Sequence, residues 1–243
     1  MKNNILEIQN LSKSYSKKKA VNNLSLTIPS GEIHGFIGHN GAGKTTTIRA
    51  VVGIMDFEEG RILINGHSIK EEPVLCKSLV AYIPDNPDLY DYITGIQYIN
   101  YMCDMFQVPT KNREREICKY ANIFKISESL DDLIASYSHG MKQKLALIGA
   151  FVHHPKLLVL DEPFVGLDPE ASFNLKKLMR ELCDEGSAIF FSTHVLEVVE
   201  KLCDTVSIIK AGNLVMSGTT EKIRGGNSLE EIFMEVVEDD KKI

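Results

Sequence analysis

No segment of this chain approaches the ~18 consecutive apolar residues of a membrane span. Its opening residues, Met1-Lys2-Asn3-Asn4-Ile5-Leu6-Glu7, lack the long apolar region of a signal peptide. Both absences point to a protein that stays in the cytoplasm. An excess of positive charge is missing as well. Lysine and arginine number 27 against 33 aspartates and glutamates, for a net charge of -6. That balance argues against a nucleic-acid-binding surface spread over the whole protein, and no nucleic acid is expected as a partner. Cys76, Cys103, Cys118, Cys183 and Cys203 are scattered and form no C-x-x-C pair, which reads as a reduced thiol set. The histidines are dispersed too. His153-His154 has no acidic or cysteine partner at ligand spacing and reads as a helix-end pair. Repeats, low-complexity tracts and Gly/Ser linkers are absent.

What is present is an ordinary globular balance, 44% hydrophobic and 25% charged over 243 residues. That length suits one large α/β domain, or one carrying a smaller inserted lobe. Near the start, apolar and polar residues alternate in Ile5-Leu6-Glu7-Ile8-Gln9-Asn10 and Leu24-Ser25-Leu26-Thr27-Ile28. These predict antiparallel strands with a turn at Pro29-Ser30-Gly31, and residues 60–66 predict a third. Residues 79–84 read as a strand ending at proline. Residues 94–148 turn helical, in several amphipathic runs. Leu157-Leu158-Val159-Leu160 and Ala188-Ile189-Phe190-Phe191 are apolar throughout, as strands of a parallel sheet covered on both faces are. A helix over 170–185, stopped by Gly186, separates them. Residues 204–210 and 213–217 predict a hairpin around Ala211-Gly212. The tail over 228–238 reads as an amphipathic helix, with Lys241 and Lys242 fraying beyond it.

Two segments carry chemistry. Gly38-His39-Asn40-Gly41-Ala42-Gly43-Lys44-Thr45-Thr46 fills the pattern G-x-x-x-x-G-K-[ST]. The apolar Ile33-His34-Gly35-Phe36-Ile37 precedes it as a buried strand, and residues 46–52 follow as a helix. Glycines let successive backbone N–H groups turn inward onto phosphate oxygens, and the helix dipole adds positive potential there. Lys44 supplies a full charge for the β- and γ-phosphates, and the Thr45 hydroxyl is a hard donor suited to Mg²⁺. The chain therefore reads as a binder of a nucleoside triphosphate. The second segment, Leu157 to Glu162, is an apolar strand ending in two carboxylates. Such a strand delivers Asp161 to the Mg²⁺ beside the phosphate loop. Glu162 projects differently and can act on the attacking water as general base.

Ser138-His139-Gly140-Met141-Lys142-Gln143-Lys144 lies just upstream of that strand. It resembles the signature motif of ABC transporter ATPases, written L-S-G-G-Q. The resemblance covers essentially the whole chain. It implies a P-loop ATPase core with an antiparallel β lobe and an inserted helical lobe, core and β lobe over about 1–89 and 154–243 and helical lobe over about 90–153. It further implies that Tyr15 stacks on adenine, that Asp85 takes the place of the usual glutamine as a metal ligand in the loop joining the lobes, and that Asp168 belongs to the loop exchanged between two subunits. His194 matches the switch histidine that reaches the γ-phosphate. In this family the helix end at Ser138 faces the γ-phosphate bound to a second subunit, so two chains complete each site.

The chain departs from the pattern at His139 and Met141, where the family has glycine and glutamine, and at Asp85. These departures resemble the branch of export ATPases that pair with separately encoded type-2 permeases, including drug, peptide and bacteriocin exporters. The expectation is a Mg²⁺-dependent ATPase with Lys44, Glu162 and His194 as catalytic residues. It would lie on the inner face of the cell membrane through an integral permease contacted by the Asp85 loop and residues 88–106. Tyr90, Tyr92 and Tyr98 serve either lobe packing or that contact. A non-transport ABC ATPase, such as an iron–sulfur assembly component, is the alternative; Met141 and Asp85 favour the exporter. DNA-maintenance and translation-factor ABC proteins carry long coiled coils or two such domains, and this chain has neither. Glu162 and His194 argue against a purely binding subunit.

Overall fold

The computed structural model describes residues 3–16 and 18–238, so Lys241 and Lys242 lie outside the described residues. Two sheets form the frame. In the first, β1 (Asn4–Tyr15), β2 (Lys18–Pro29), β4 (Glu59–Ile64) and β5 (His67–Ser68) pair antiparallel in the order β2-β1-β4-β5. The second sheet orders β10 (Asn213–Thr219), β9 (Thr205–Lys210), β3 (Ile33–Ile37), β8 (Ala188–Thr193), β7 (Leu157–Asp161) and β6 (Val80–Ile83). All its neighbours run parallel except β9 and β10, the hairpin turning at Ala211 and Gly212. Both turn residues have positive φ, as a tight hairpin requires.

β1 and β2 run well past the alternating stretches that announce them. The pattern is lost because Asn10 and Asn23 adopt positive φ at register shifts, which rotates the later side chains out of phase. The turn at Pro29-Ser30-Gly31 leads from β2 into β3, not between the antiparallel strands.

Strands β3, β7 and β8 are buried along their whole length. Their alternate side chains feed two cores. Ile33, Ile37, Leu158, Leu160, Ile189 and Phe191 face one, and Phe36, Leu157, Val159 and Phe190 face the other. The second core is closed by the antiparallel sheet and by α1 (Lys44–Val51) through Ile48 and Val51, with Cys76 of α2 (Pro73–Ser78). The first is closed by α3 (Gly95–Met105), α4 (Thr110–Phe124), α5 (His139–Phe151), α6 (Pro169–Asp184) and α7 (Leu196–Leu202). The short α8 (Thr220–Arg224) and the tail helix α9 (Leu229–Glu238) complete it. Thr94 starts α3 with a full capping box, exchanging hydrogen bonds with Gln97.

Helices α3, α4 and α5 enter between β6 and β7, which are themselves hydrogen-bonded neighbours. Parallel strands all present their carboxyl ends on one edge, so residues 38, 85, 161 and 194 emerge together there. The five cysteines are free, four buried and Cys118 exposed. His153 stacks on Phe106 just beyond α5, and His154 pairs with Glu116 at 3.2 Å and Glu185 at 3.6 Å.

Candidate functional site

The phosphate loop leaves β3 and closes into α1 at Lys44, two residues earlier than the sequence pattern predicts. Gly43 caps the helix at φ 114, a conformation only glycine adopts freely, and a side chain there would strike the Ala20 carbonyl. A Cβ on Gly38 would stand 2.5 Å from the Ile209 carbonyl oxygen, so the loop is pinned between β2 and β9. Lys44 is 7% exposed, and its ammonium donates to the carbonyls of Gly38 at 2.6 Å and His39 at 3.4 Å. Burial lowers its pKa, while Glu162 and Asp161 act in the opposite direction.

Across the cleft, Asp161 is 2% exposed at the end of β7. It accepts hydrogen bonds from Thr45 Oγ1, at 2.9 Å, and from Ser192 Oγ. Glu162, next in the chain, has φ 50, which swings its carboxylate away from that of Asp161. Its Oε2 stands 3.0 Å from Nδ1 of His194 and accepts the His194 backbone N–H at 3.3 Å. Tyr82, behind Asp161, has its pKa pushed up to about 12 by burial and by that carboxylate.

Lys44, Thr45, Asp161 and Glu162 line one cleft of about 320 Å³. Of the residues picked out from sequence, Tyr15, His39, Asn40, Gly41, Gly43, Lys44, Thr45, Thr46, Asp85, Asp161 and Glu162 face it. Gly38 and Ala42 are buried beneath the loop, and His194 reaches the cleft through Glu162. Asp85 is exposed, and its Oδ1 also accepts the N–H of Asn86 at 2.9 Å. Tyr15 is half exposed at the cleft mouth, its hydroxyl 2.9 Å from Met55 Sδ. Sequence reasoning missed Lys18, Ala20 and Ser192. The first two reach the cleft only because β1 and β2 fold over the loop. Ser192 left a signal, a hydroxyl inside the apolar run before Thr193.

Ser138, His139, Gly140, Met141 and Asp168 do not line this cleft. They form a second constellation at the amino end of α5. Ser138 caps the helix by accepting the Met141 N–H at 3.3 Å, and Lys144 pairs with Asp168 at 2.6 Å. Gln143, fully buried one turn on, has no hydrogen-bond partner for its amide among the described residues.

A second groove, also about 320 Å³, runs between β6 and helices α3 and α5. Tyr98 packs into its floor, while Ile54 and Met105 stand more than half exposed on its rims. Tyr90, Tyr92 and Tyr101 cluster on the surface nearby, with ring centroids 6.0 and 6.1 Å apart. Tyr98 is thus a packing residue, and Tyr90 and Tyr92 are surface residues.

The family model described as ABC transporter matches residues 21–165. This chain belongs to the ABC transporter family. It is 32% identical to the ABC-type transporter ATP-binding protein EcsA of Bacillus subtilis, over 97% of this chain and 98% of that one. It is 38% identical to YhcH of the same organism, an ABC transporter ATP-binding protein, over 87% of this chain and 68% of that one. The linearmycin resistance ATP-binding protein LnrL, also from B. subtilis, is 32% identical over 88% of this chain and 69% of its own length. A solved ATP-binding subunit of an ABC transporter superposes with a TM-score of 0.93 at 34% identity, covering 96% of this chain and 99% of that one.

The ABC ATPase fold is therefore the P-loop α/β arrangement expected from the sequence. Its nucleotide is ATP, with Mg²⁺ as the usual companion. The residues present fit that ion: a buried carboxylate and a threonine hydroxyl converge beside the loop, which is hard oxygen chemistry. When bound, Mg²⁺ supplies charge neutralisation for the phosphates. Among the described residues no helix is long and apolar enough to cross a membrane.

Proposed function

We propose that this ABC ATPase is the energising subunit of an exporter, working as a dimer on the cytoplasmic face of a separate permease. The observation that carries the reading is the split between the two constellations. The cleft gathers the phosphate loop, the carboxylates and the switch histidine, while Ser138, His139, Gly140 and Met141 face elsewhere. A second subunit, identical or homologous, is then needed to bring its signature turn to this cleft. The name of LnrL and the departures at Asp85, His139 and Met141 support the export branch.

In this reading the amides of residues 38–43 and Lys44 hold the triphosphate, and Tyr15 stacks on the adenine. Thr45, Asp161 and Asp85 are the oxygens for Mg²⁺. Glu162 takes the proton of the attacking water on a carboxylate oxygen. His194 orients that carboxylate through Nδ1 and leaves its other ring nitrogen for the γ-phosphate. Asp168 lies in the loop presented across the dimer. The lobe boundary near residues 90 and 153 is the hinge about which the helical lobe turns. The groove between β6 and α3, flanked by Tyr90 and Tyr92, receives a cytoplasmic segment of the permease.

The test is purification from membranes of cells that express the chain with its genomic neighbours, followed by reconstitution into vesicles. Co-purification of an integral membrane protein and ATP-dependent movement of cargo out of the nucleotide compartment are expected. Movement in the opposite direction would make it an importer. A chain recovered only with iron–sulfur assembly proteins would move it to the non-transport class.

A further inference from the structure

The amino end of α5 grips the loop over 166–168 at three points. His139 lays its ring on Gly166: a Cβ built there would stand 2.6 Å from Cδ2 and 2.9 Å from Nε2. Gly140 lies under the Gly166 carbonyl, where a side-chain carbon would come within 2.9 Å of the oxygen. Lys144 holds Asp168 at 2.6 Å. Glycine at 166 is thus required twice, by its φ of +80 and by the imidazole stacked against it.

The other end of this loop is Glu162. The Val165 N–H donates to the Glu162 carbonyl at 3.2 Å, closing a turn that ends one residue short of Gly166. The Glu162 carboxylate is held from the other side by His194. One hydrogen-bonded turn therefore separates the His139 ring from the backbone that aims Glu162.

We propose that His139 is a positioning residue for the Glu162 of its own chain. The ring, seated on Gly166, holds the 162–168 segment in the conformation that directs the carboxylate. Each chain's signature turn is in this way mechanically tied to its own catalytic base. Where the family's glycine stands at this position, no side chain makes that contact. The proposal rests on the ATPase reading above. None of the three contacts touches the phosphate loop of the same chain, so the link to Glu162 runs through the 162–168 backbone. The effect is read in kcat at saturating ATP, where differences in ATP affinity drop out.

The contact is steric, so it can be tested by relief. Gly166→Ala in the full-length protein is expected to lower kcat at saturating ATP about tenfold, the scale of a small misplacement of a reacting group. In the His139→Gly background the same substitution is expected to cost less than about threefold, since the ring it struck is gone and only the backbone strain remains. Equal losses in both backgrounds, or no loss from Gly166→Ala alone, would overturn the proposal. Hydrogen–deuterium exchange on the nucleotide-free protein gives a readout independent of turnover. His139→Gly should speed exchange over residues 163–168 and leave residues 38–46 as in the parent; unchanged exchange at 163–168 also overturns it. A parent chain that hydrolyses no ATP would remove the ATPase reading, while the exchange result would still decide the link between 139 and 166.

Discussion

Lys44 sits where two effects oppose each other. Burial disfavours its charge, and Asp161 and Glu162 restore part of that loss. With its ammonium already directed at the Gly38 and His39 carbonyls, the lysine is held folded over the loop. Lys44→Ala is expected to weaken ATP binding by about 2–5 kcal/mol, the range for truncating one partner of a buried charge pair, measured by equilibrium titration. Glu162 is expected to behave in the opposite way. Its carboxylate is set by φ 50 and by His194, and the hydrogen bonds that hold Lys44 over the loop go to the Gly38 and His39 carbonyls, not to Glu162. Glu162→Gln should therefore leave ATP binding intact and abolish steady-state hydrolysis, because an amide cannot accept the proton of water. Parental turnover in that variant would assign the base elsewhere. Gel filtration in ATP should show the variant trapped as a dimer.

The element that joins these residues to the rest of the molecule is α5. Its amino end presents Ser138 as a cap, and its middle, from Leu145 onward, is buried against the sheet and the neighbouring helices. Gln143 lies between the two, fully buried, and both polar ends of its amide are unpaired among the described residues. A buried unsatisfied amide costs about 1–3 kcal/mol, so Gln143→Met, of similar volume, is expected to stabilise the nucleotide-free protein by that order. A rise in the urea midpoint at unchanged m-value would show it. A lower midpoint would mean that the amide is satisfied in solution. α5 was only partly legible in advance. Its apolar run marks a helix, but which of its polar residues is interior depends on what packs over it.

Stability of the whole molecule should depend on pH through its buried histidines. His34, in the middle of the parallel sheet, contacts Thr205 Oγ1 and Ser207 Oγ, and burial lowers its pKa from 6.5 to about 3. His153 is lowered to about 4 by burial and by His154. A depressed native pKa means that the unfolded chain binds the proton first. The stability from neutral His34 is thus complete above pH 6.5 and is lost as pH falls toward 3. Between these limits each such histidine contributes a slope of up to about 1.4 kcal/mol per pH unit. Urea unfolding from pH 7.5 to 5 should show this slope in the parent and a shallower one in His34→Gln. Identical slopes would mean that His34 is protonated in the native state.

Some of this protein is written in short stretches of sequence. The phosphate loop, the Asp161-Glu162 strand end, the capping of α5 by Ser138 and the turn at Ala211-Gly212 all rest on backbone conformation or capping chemistry. Those act over a few residues and need no distant partner. The apolar runs of β7 and β8 likewise announce a doubly covered parallel sheet, and a parallel sheet places its strand ends on one edge. Elements of two turns or fewer were invisible, because α2, α7 and α8 are too short to show a period. The lengths of β1 and β2 were hidden by bulges. Only tertiary structure brought Lys18 and Ala20 to the cleft, exposed Tyr90 and Tyr92 while burying Tyr98, and set His139 on Gly166. Those contacts link residues far apart in the chain, and which side chains meet depends on strand register and helix rotation. Both are decided by how the whole core packs, and no local pattern encodes them.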